Sequence, residues 1–381
     1  MSKFIALPVG QGDAFYLERD DIRVLVDGGK SKRAISRWMA TICQTDYLDV
    51  LVCTHNDADH ANGVIGILDE WEGRIAEVWL PGSWTYRLKD LFSEPDKFLG
   101  QLTENIKNAF QGNSEASSAS FGDIALRENI SSSQLSETAE FGLDEIFDNS
   151  ARLTREFNEI YLAYPACIPL FIYDEIWYQS SQFSIFWQAL TAAKNIWSIV
   201  ELAYHRGAKI RFFEFGTGIA GGYTRQLEPV NSQELIALRT KEIDVIDYLA
   251  LSASNKESLV FYSLESETTS AVLFCADSDL KFSLPASPPS RTPIVTSPHH
   301  GAEANANSYT AVSNWLKKNI SPIWVRSDCR SKSRPGSGFK NQQYKLCTLC
   351  NYGAQPKQTI KLHTHQRCWQ VTSQTRWCTC K

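Results

Sequence analysis

Thr54-His55-Asn56-Asp57-Ala58-Asp59-His60 follows directly on the run Leu48–Cys53, and this junction decides how the chain is read. The run is apolar apart from Asp49, the texture of a strand buried on both faces. Two His and two Asp then fall within six positions. His55 and Asp57 alternate as residues leaving a strand do, and Asp59 with His60 can turn toward a neighbouring position. Imidazole with carboxylate suits Zn²⁺, Mn²⁺ or Fe better than Ca²⁺ or Mg²⁺. A lone His in a strand loop is ordinarily structural; this density of donors after a buried strand points to a metal centre.

Two other strand ends fit the same pattern. The apolar run Ala271–Cys275 ends in Ala276-Asp277-Ser278-Asp279, and an acid there is costly to bury without a cation. Ile294–Thr296 runs into Ser297-Pro298-His299-His300-Gly301. Three strand ends thus offer His with Asp, Asp, and His, which is what a dinuclear centre needs.

Short strands are expected at Phe4–Pro8, Ala14–Glu18, Ile22–Asp27 and Glu77–Leu80, with a helix near Ser31–Cys43. Gly10-Gln11-Gly12 and Gly28-Gly29 break the first of these. From about Lys89 the texture changes. Ser114–Glu140 is polar and Ser-rich and reads as a loop or disordered excursion. Ala151–His205 is aromatic and helix-like, interrupted by Pro165 and Pro169. Strand texture resumes at Lys209–Phe215, Ile243–Ser252, Ser258–Leu264, Ser270–Ala276 and Thr292–Thr296. The expected organisation is a strand-rich core over 1–88 and 205–327, split by a mainly helical insertion over 89–204 that offers a surface for a protein partner. A basic, Cys-rich segment over 328–381 follows.

With 43% hydrophobic and 21% charged residues, the 381-residue chain can bury a sizeable core. The net charge of −5 conceals an asymmetry. Arg326–Lys381 holds eleven Lys and Arg against one acid, Asp328, while the preceding chain holds 27 basic and 42 acidic residues. A segment of +10 on a body of −15 suits a negatively charged partner, and equally a solvated basic tail. The start of the chain does not read as a signal peptide, and no apolar stretch is long enough for a membrane span. A cytosolic location with reduced thiols is therefore expected for the ten cysteines.

The segment His55–His60 resembles the HxHxDH motif of the metallo-β-lactamase superfamily, and more closely the HxDxDH variant of ComEC/Rec2-type hydrolase domains. Gly10-Gln11-Gly12-Asp13, Val26-Asp27-Gly28-Gly29 and His299-His300-Gly301 are similar to that branch, as is their order along the chain. The resemblance covers residues 1–85 and about 205–327. It implies an α+β fold of four layers, an αββα sandwich, with one or two divalent metals (Zn²⁺ or Mn²⁺) at one edge between the sheets. It further implies that His55, Asp57 and Asp277 face one metal. Asp59, His60, Asp277 and His300 would face the second, with His299 as the alternative to His300. Asp27 would orient the site by hydrogen bonding. A metal-activated hydroxide would attack an ester centre, with Asp57 or Asp59 orienting it or moving its proton. Asp57 stands where the common motif has His, which makes the first site richer in oxygen. The family's middle His has no clear counterpart; His205 is the sole candidate by position, and a helix-end cation suits it better.

In the last segment, Cys347-Thr348-Leu349-Cys350 and Cys378-Thr379-Cys380 together offer four thiols for a structural Zn²⁺, although buried or free thiols fit as well. Phe339, Tyr344, Tyr352, Trp369 and Trp377 alternate with Lys and Arg, a mixture suited to phosphate contact with base stacking, and equally to packing on the core. The leading expectation is a metal-dependent phosphodiesterase, a nuclease acting on DNA. The alternatives are a hydrolase of small esters, phosphoesters or lactams, and a degenerate-site scaffold within a larger complex.

Overall fold

The run around Leu48–Cys53 becomes strand β4 (Tyr47–Val52), which lies inside a sheet of nine described strands. The computed structural model describes residues 2–20, 22–111, 135–147, 180–216, 226–328, 334–349 and 358–380. Across the first sheet the order runs from Cys368–Val371 and Ile360–His365 through β1 (Lys3–Ala6), β2 (Phe15–Arg19), β3 (Ile22–Val26), β4 and β5 (Arg74–Pro81) to Lys209–Phe215 and Ser232–Glu234. In chain order β6 is Glu137–Phe141, β7 is Lys209–Phe215, β8 is Leu227–Pro229, β9 is Ser232–Glu234 and β10 is Leu238–Lys241. Strands β3, β4, β5 and β7 are mutually parallel, and the flanking strands are antiparallel.

A second sheet has the order β15 (Lys345–Cys347), β14 (Ile323–Arg326), β13 (Ile294–Thr296), β12 (Val272–Phe274), β11 (Phe261–Ser263), β8. Its β12 to β15 run parallel. The two sheets share one apolar core. Phe4, Phe15, Val24, Val26, Val50, Val52 and Trp79 come from the first, and Phe261, Val272, Phe274, Ile294 and Val325 from the second. Each such fully buried side chain contributes roughly 1.5–3 kcal/mol over exposure. The intervening residues Ile5, Leu25, Leu51 and Val78 point the other way and are buried too, so these strands read as apolar runs without alternation.

Helix α1 (Lys32–Trp38) starts at Ser31, whose hydroxyl accepts from the Ala34 N–H, and packs on α2 (Ala58–Glu70). The outer face of the second sheet is covered by Tyr309 and Val312 of α8 (Ala306–Trp315). The two sheets with α1, α2 and α8 lie in one compact unit, Met1–Pro81 with Ser198–Glu234 and Asn255–Lys381. The basic C-terminal segment belongs to this unit. It supplies β15 to the second sheet, and β16 (Ile360–His365) and β17 (Cys368–Val371) to the edge of the first.

A second unit comprises Gly82–Trp197 and Leu235–Ser254. It contains α3 (Leu88–Ser93), α4 (Pro95–Gln111), α5 (Leu143–Phe147), the first part of α6 (Ser180–His205) and α7 (Val245–Ser252). Phe92 stacks on Trp197 with ring centroids 4.0 Å apart, and the Tyr248 hydroxyl donates to the Trp84 carbonyl. Two local expectations fail here. Ile243–Ser252 reads as a strand but forms α7: Asp244 sits at the N-cap and Asp247 three positions on, a spacing that suits one helix face, and the apolar residues around them are buried. The polar stretch Ser114–Glu140 reaches into a strand, β6, which pairs with β10; most of that stretch, and residues 151–179 of the expected helix, lie outside the described residues. Among the described residues no helix is long and apolar enough to cross a membrane. The architecture is α+β.

Candidate metal centre

The donors meet because six strands of the first unit end at one edge. β1 leads to Asp13, β3 to Asp27, β4 to His55, β12 to Asp277, β13 to His299 and His300, and β14 to Asp328. Five of these strands are in parallel stretches and deliver the residues at their carboxyl ends, the usual place for a ligand site in an open parallel sheet.

Asp57 occupies the N-cap of α2, where an Asp ordinarily folds back to accept from the first helical N–H groups. It makes no such bond. Its Oδ2 lies 3.7 Å from His55 Nε2, and Asp277 Oδ2 lies 3.9 Å from that same nitrogen. The other Asp277 oxygen, Oδ1, is 3.3 Å from His60 Nε2 and 3.3 Å from His300 Nε2. Asp59 Oδ2 approaches His300 Nε2 at 3.6 Å. His299 Nε2 stands on the other side, 3.5 Å from Asp277 Oδ2. Asp277 therefore faces two groups of donors, one with each oxygen. His55, Asp57 and Asp277 form one group able to hold a cation, and Asp13, His60, Asp277 and His300 form another.

Each imidazole is oriented from behind. Asp27, fully buried, accepts from the Thr54 N–H and hydroxyl, and its Oδ2 lies 2.8 Å from His60 Nδ1. Asp13 Oδ1 is 3.0 Å from His300 Nδ1, the Thr54 hydroxyl is 3.1 Å from His55 Nδ1, and Asn305 Oδ1 is 3.2 Å from His299 Nδ1. With every Nδ1 facing an oxygen, the favoured tautomer leaves four Nε2 lone pairs directed inward. His55 Nε2 and Asp277 Oδ1 are buried with no hydrogen-bond partner. Orphaned acceptors of this kind are costly unless a cation fills the space between them, so the donors present fit a divalent metal.

The charges are tightly interlocked. Burial would raise the Asp277 carboxyl, yet His300, His60 and His299 hold it well below the usual carboxylate range. Burial would lower His60, yet Asp277 and Asp27 hold it well above the usual imidazole range. His300 is pushed up to about 9 against its burial by Asp277 and Asp13. Asp13 itself is raised, because burial outweighs the attraction of His300.

Backbone strain gathers at the same edge. Asp27, His299 and His300 all have positive φ, as does Ala276 before Asp277; such residues cost of order 1–3 kcal/mol each and persist where surroundings dictate them. Gly12, at φ +93, passes so close to α2 that a Cβ on it would lie 1.6 Å from the Asp59 carbonyl oxygen. Its N–H donates to Asp328 Oδ1 at 3.2 Å.

The structure thus brings together His55, Asp57, Asp59, His60, Asp277, His299 and His300, with Asp27 behind them. His205 is elsewhere: it ends α6, exposed, beside Tyr204. Asp13, Thr54 and Asn305 were not expected to take part. Asp13 had a signal, since it closes the quoted Gly10–Asp13 motif; Thr54 and Asn305 had none. Cys347 and Cys378 are buried and Cys380 is half-buried, none of the three in a disulfide; Cys350 lies outside the described residues.

No family model matches the chain. Two relatives are each named exodeoxyribonuclease WalJ, from Streptococcus pneumoniae serotype 2 (strain D39 / NCTC 7466) and from Streptococcus pneumoniae strain ATCC BAA-255 / R6. Each is 29% identical to this chain over 114 residues, which is 30% of this chain. The match spans 38% of the relatives' own length.

Proposed function

We propose that the chain is a metal-dependent hydrolase of the metallo-β-lactamase fold, in the ComEC-like branch, and that it cleaves phosphodiesters in DNA. The observation that carries this reading is Asp277, one carboxylate placed between two donor groups at the edge where two sheets meet. The order of the His and Asp motifs along the chain and the similarity to an exodeoxyribonuclease support it.

His55, Asp57 and Asp277, with His299 beside them, would hold one cation, and Asp59, His60, Asp277 and His300 the other. A cation held there makes a water nucleophilic near neutral pH and draws charge from a phosphoryl oxygen. The protein's own share is positional. Asp27 and Asp13 fix the tautomers of His60 and His300, and Thr54 that of His55. The side chain of Asp57 is 41% exposed, against 15% for Asp59. Asp57 is therefore the carboxylate best placed to meet an incoming water or accept its proton.

Protein purified without chelator should contain a divalent metal and hydrolyse a generic phosphodiester, and chelation should abolish the hydrolysis. Cleavage of DNA with salt-sensitive binding would separate the nuclease from a small-molecule hydrolase. Bound metal without turnover on either substrate would leave a scaffold instead.

A further inference from the structure

The chain returns to the His300 loop at Arg334–Ser337. The Gly336 N–H donates to the Gly301 carbonyl at 2.8 Å, and the Ser337 N–H and hydroxyl both donate to Glu303. Arg334 Nη1 then lies 3.4 Å from Asp328 Oδ2. Arg326 Nη2 lies 3.1 Å from the same oxygen, and Asp328 Oδ1 accepts from the Gly12 N–H at 3.2 Å. Gly12 abuts the Asp59 carbonyl and precedes Asp13, the partner of His300. Arg334 is therefore fixed beside the donor group of Asp13, His60, Asp277 and His300.

Two guanidiniums on one carboxylate leave a positive excess there. The two are not equivalent. The Arg326 side chain is 1% exposed and already donates to the His300 carbonyl, to Cys347 Sγ and to Asp328. The Arg334 side chain is 18% exposed, and Asp328 is its only ion-pair partner among the described residues. Asp328 is fully buried and has the nearer Arg326 and the Gly12 N–H without it. A guanidinium held by one shared oxygen keeps most of its N–H fork for another acceptor.

We infer that Arg334 is a substrate-binding residue that holds a backbone phosphate of the DNA strand beside the metal centre. The inference rests on the nuclease reading above. A strand brings a charge with every phosphate, and the metals meet only the phosphate being cleaved, so its neighbours need cations of their own. The planar fork of an Arg suits two non-bridging phosphate oxygens. Asp328 orients the guanidinium, and the N–H groups that do not face Asp328 donate to the phosphate.

The test measures binding of a single-stranded oligonucleotide to the full chain purified without chelator. Phosphorothioate linkages keep the backbone charge and resist hydrolysis. Arg334→Gln should weaken binding about tenfold and flatten the log–log salt slope by about 0.7, the value for one single-strand phosphate contact. Arg334→Lys, which keeps the charge and loses the fork, should fall between the two. A methylphosphonate oligonucleotide of the same sequence carries no backbone charge, and wild type and Arg334→Gln should bind it equally. Metal content and Tm should match wild type, because Arg326 and Gly12 still hold Asp328. Unchanged affinity and slope in Arg334→Gln would overturn the inference. So would an equal loss on the charged and neutral oligonucleotides, or a wild type without affinity for the charged one. Binding is read without turnover, so the two readings fail separately. A wild type that binds through Arg334 and cleaves nothing would refute the hydrolase and leave the phosphate contact standing.

Discussion

His300 Nδ1 and Asp13 Oδ1 lie 3.0 Å apart although 287 positions separate them in the chain. The second oxygen of Asp13 is buried without a hydrogen-bond partner. The Oδ1 contact holds the His300 proton on Nδ1 so that Nε2 faces Asp277.

Asp13→Asn tests that role directly. The amide keeps the size of the side chain but loses the charge that fixes the tautomer. Metal affinity or turnover should drop about 10–100-fold while the melting temperature stays close to wild type. Titration of metal into the chelated protein reads the first quantity; unchanged affinity and turnover would remove Asp13 from the site.

Asp277 is the residue on which both donor groups depend. Asp277→Asn, His60→Ala and Asp59→Ala should each bring hydrolysis of a phosphodiester below detection. Circular dichroism should remain that of the native protein, because these side chains sit at strand and helix ends outside the shared apolar core. Wild-type turnover in any of the three would refute the assignment of that residue.

Metal preference follows from Asp57. A carboxylate where the common motif has imidazole makes the first donor group harder and favours Mn²⁺ over Zn²⁺. Apo-protein reconstituted with each ion separately should recover more activity with Mn²⁺. Greater recovery with Zn²⁺ than with Mn²⁺ would contradict this.

Gly12 places α2. In Gly12→Ala the new Cβ would meet the Asp59 carbonyl oxygen at 1.6 Å, so α2 must move and carry Asp59 and His60 with it. Metal binding and stability should fall together. Gly207→Ala is the control: at φ +66 with nothing within 4 Å, it costs about 1–2 kcal/mol of backbone strain and should leave metal binding intact.

Nucleic-acid contact is best tested on the exposed part of the C-terminal segment. Arg326 is buried on Asp328 and Cys347, and Phe339 and Trp369 are buried in the two cores. Arg367 and Arg376 are exposed, and Tyr344 and Trp377 are 42% and 45% exposed with rings 6.1 Å apart. Arg367→Glu with Arg376→Glu should weaken DNA binding and flatten its log–log salt slope by about 0.9 per lost duplex phosphate contact. Trp377→Ala should lower single-strand affinity by about 1–3 kcal/mol. Affinity equal to wild type in all of these variants, with salt slope unchanged, would show that the segment only packs.

Most core strands and the local donors are legible in the residues alone. Runs such as Leu48–Cys53 and Ala271–Cys275 are apolar on both faces, and that is legible because such a run can only be buried. His55, Asp57, Asp59 and His60 share one short segment, so their proximity needs no fold to establish it. Apolar content alone does not fix the element, however: Ile243–Ser252, apolar but for Asp244, Asp247 and Ser252, formed α7. Which distant residues complete the centre depends on the folded arrangement of the strands. Asp13 reaches His300, and Arg326 joins His300 to Cys347, because strands that are separate in the chain end at one edge. Such contacts depend on strand order and register, and no local pattern of side chains encodes either. The C-terminal segment makes the same point: its charge was visible at once, but that it supplies edge strands to both sheets rests on pairing of β16 with β1, at the other end of the chain, and of β15 with β14.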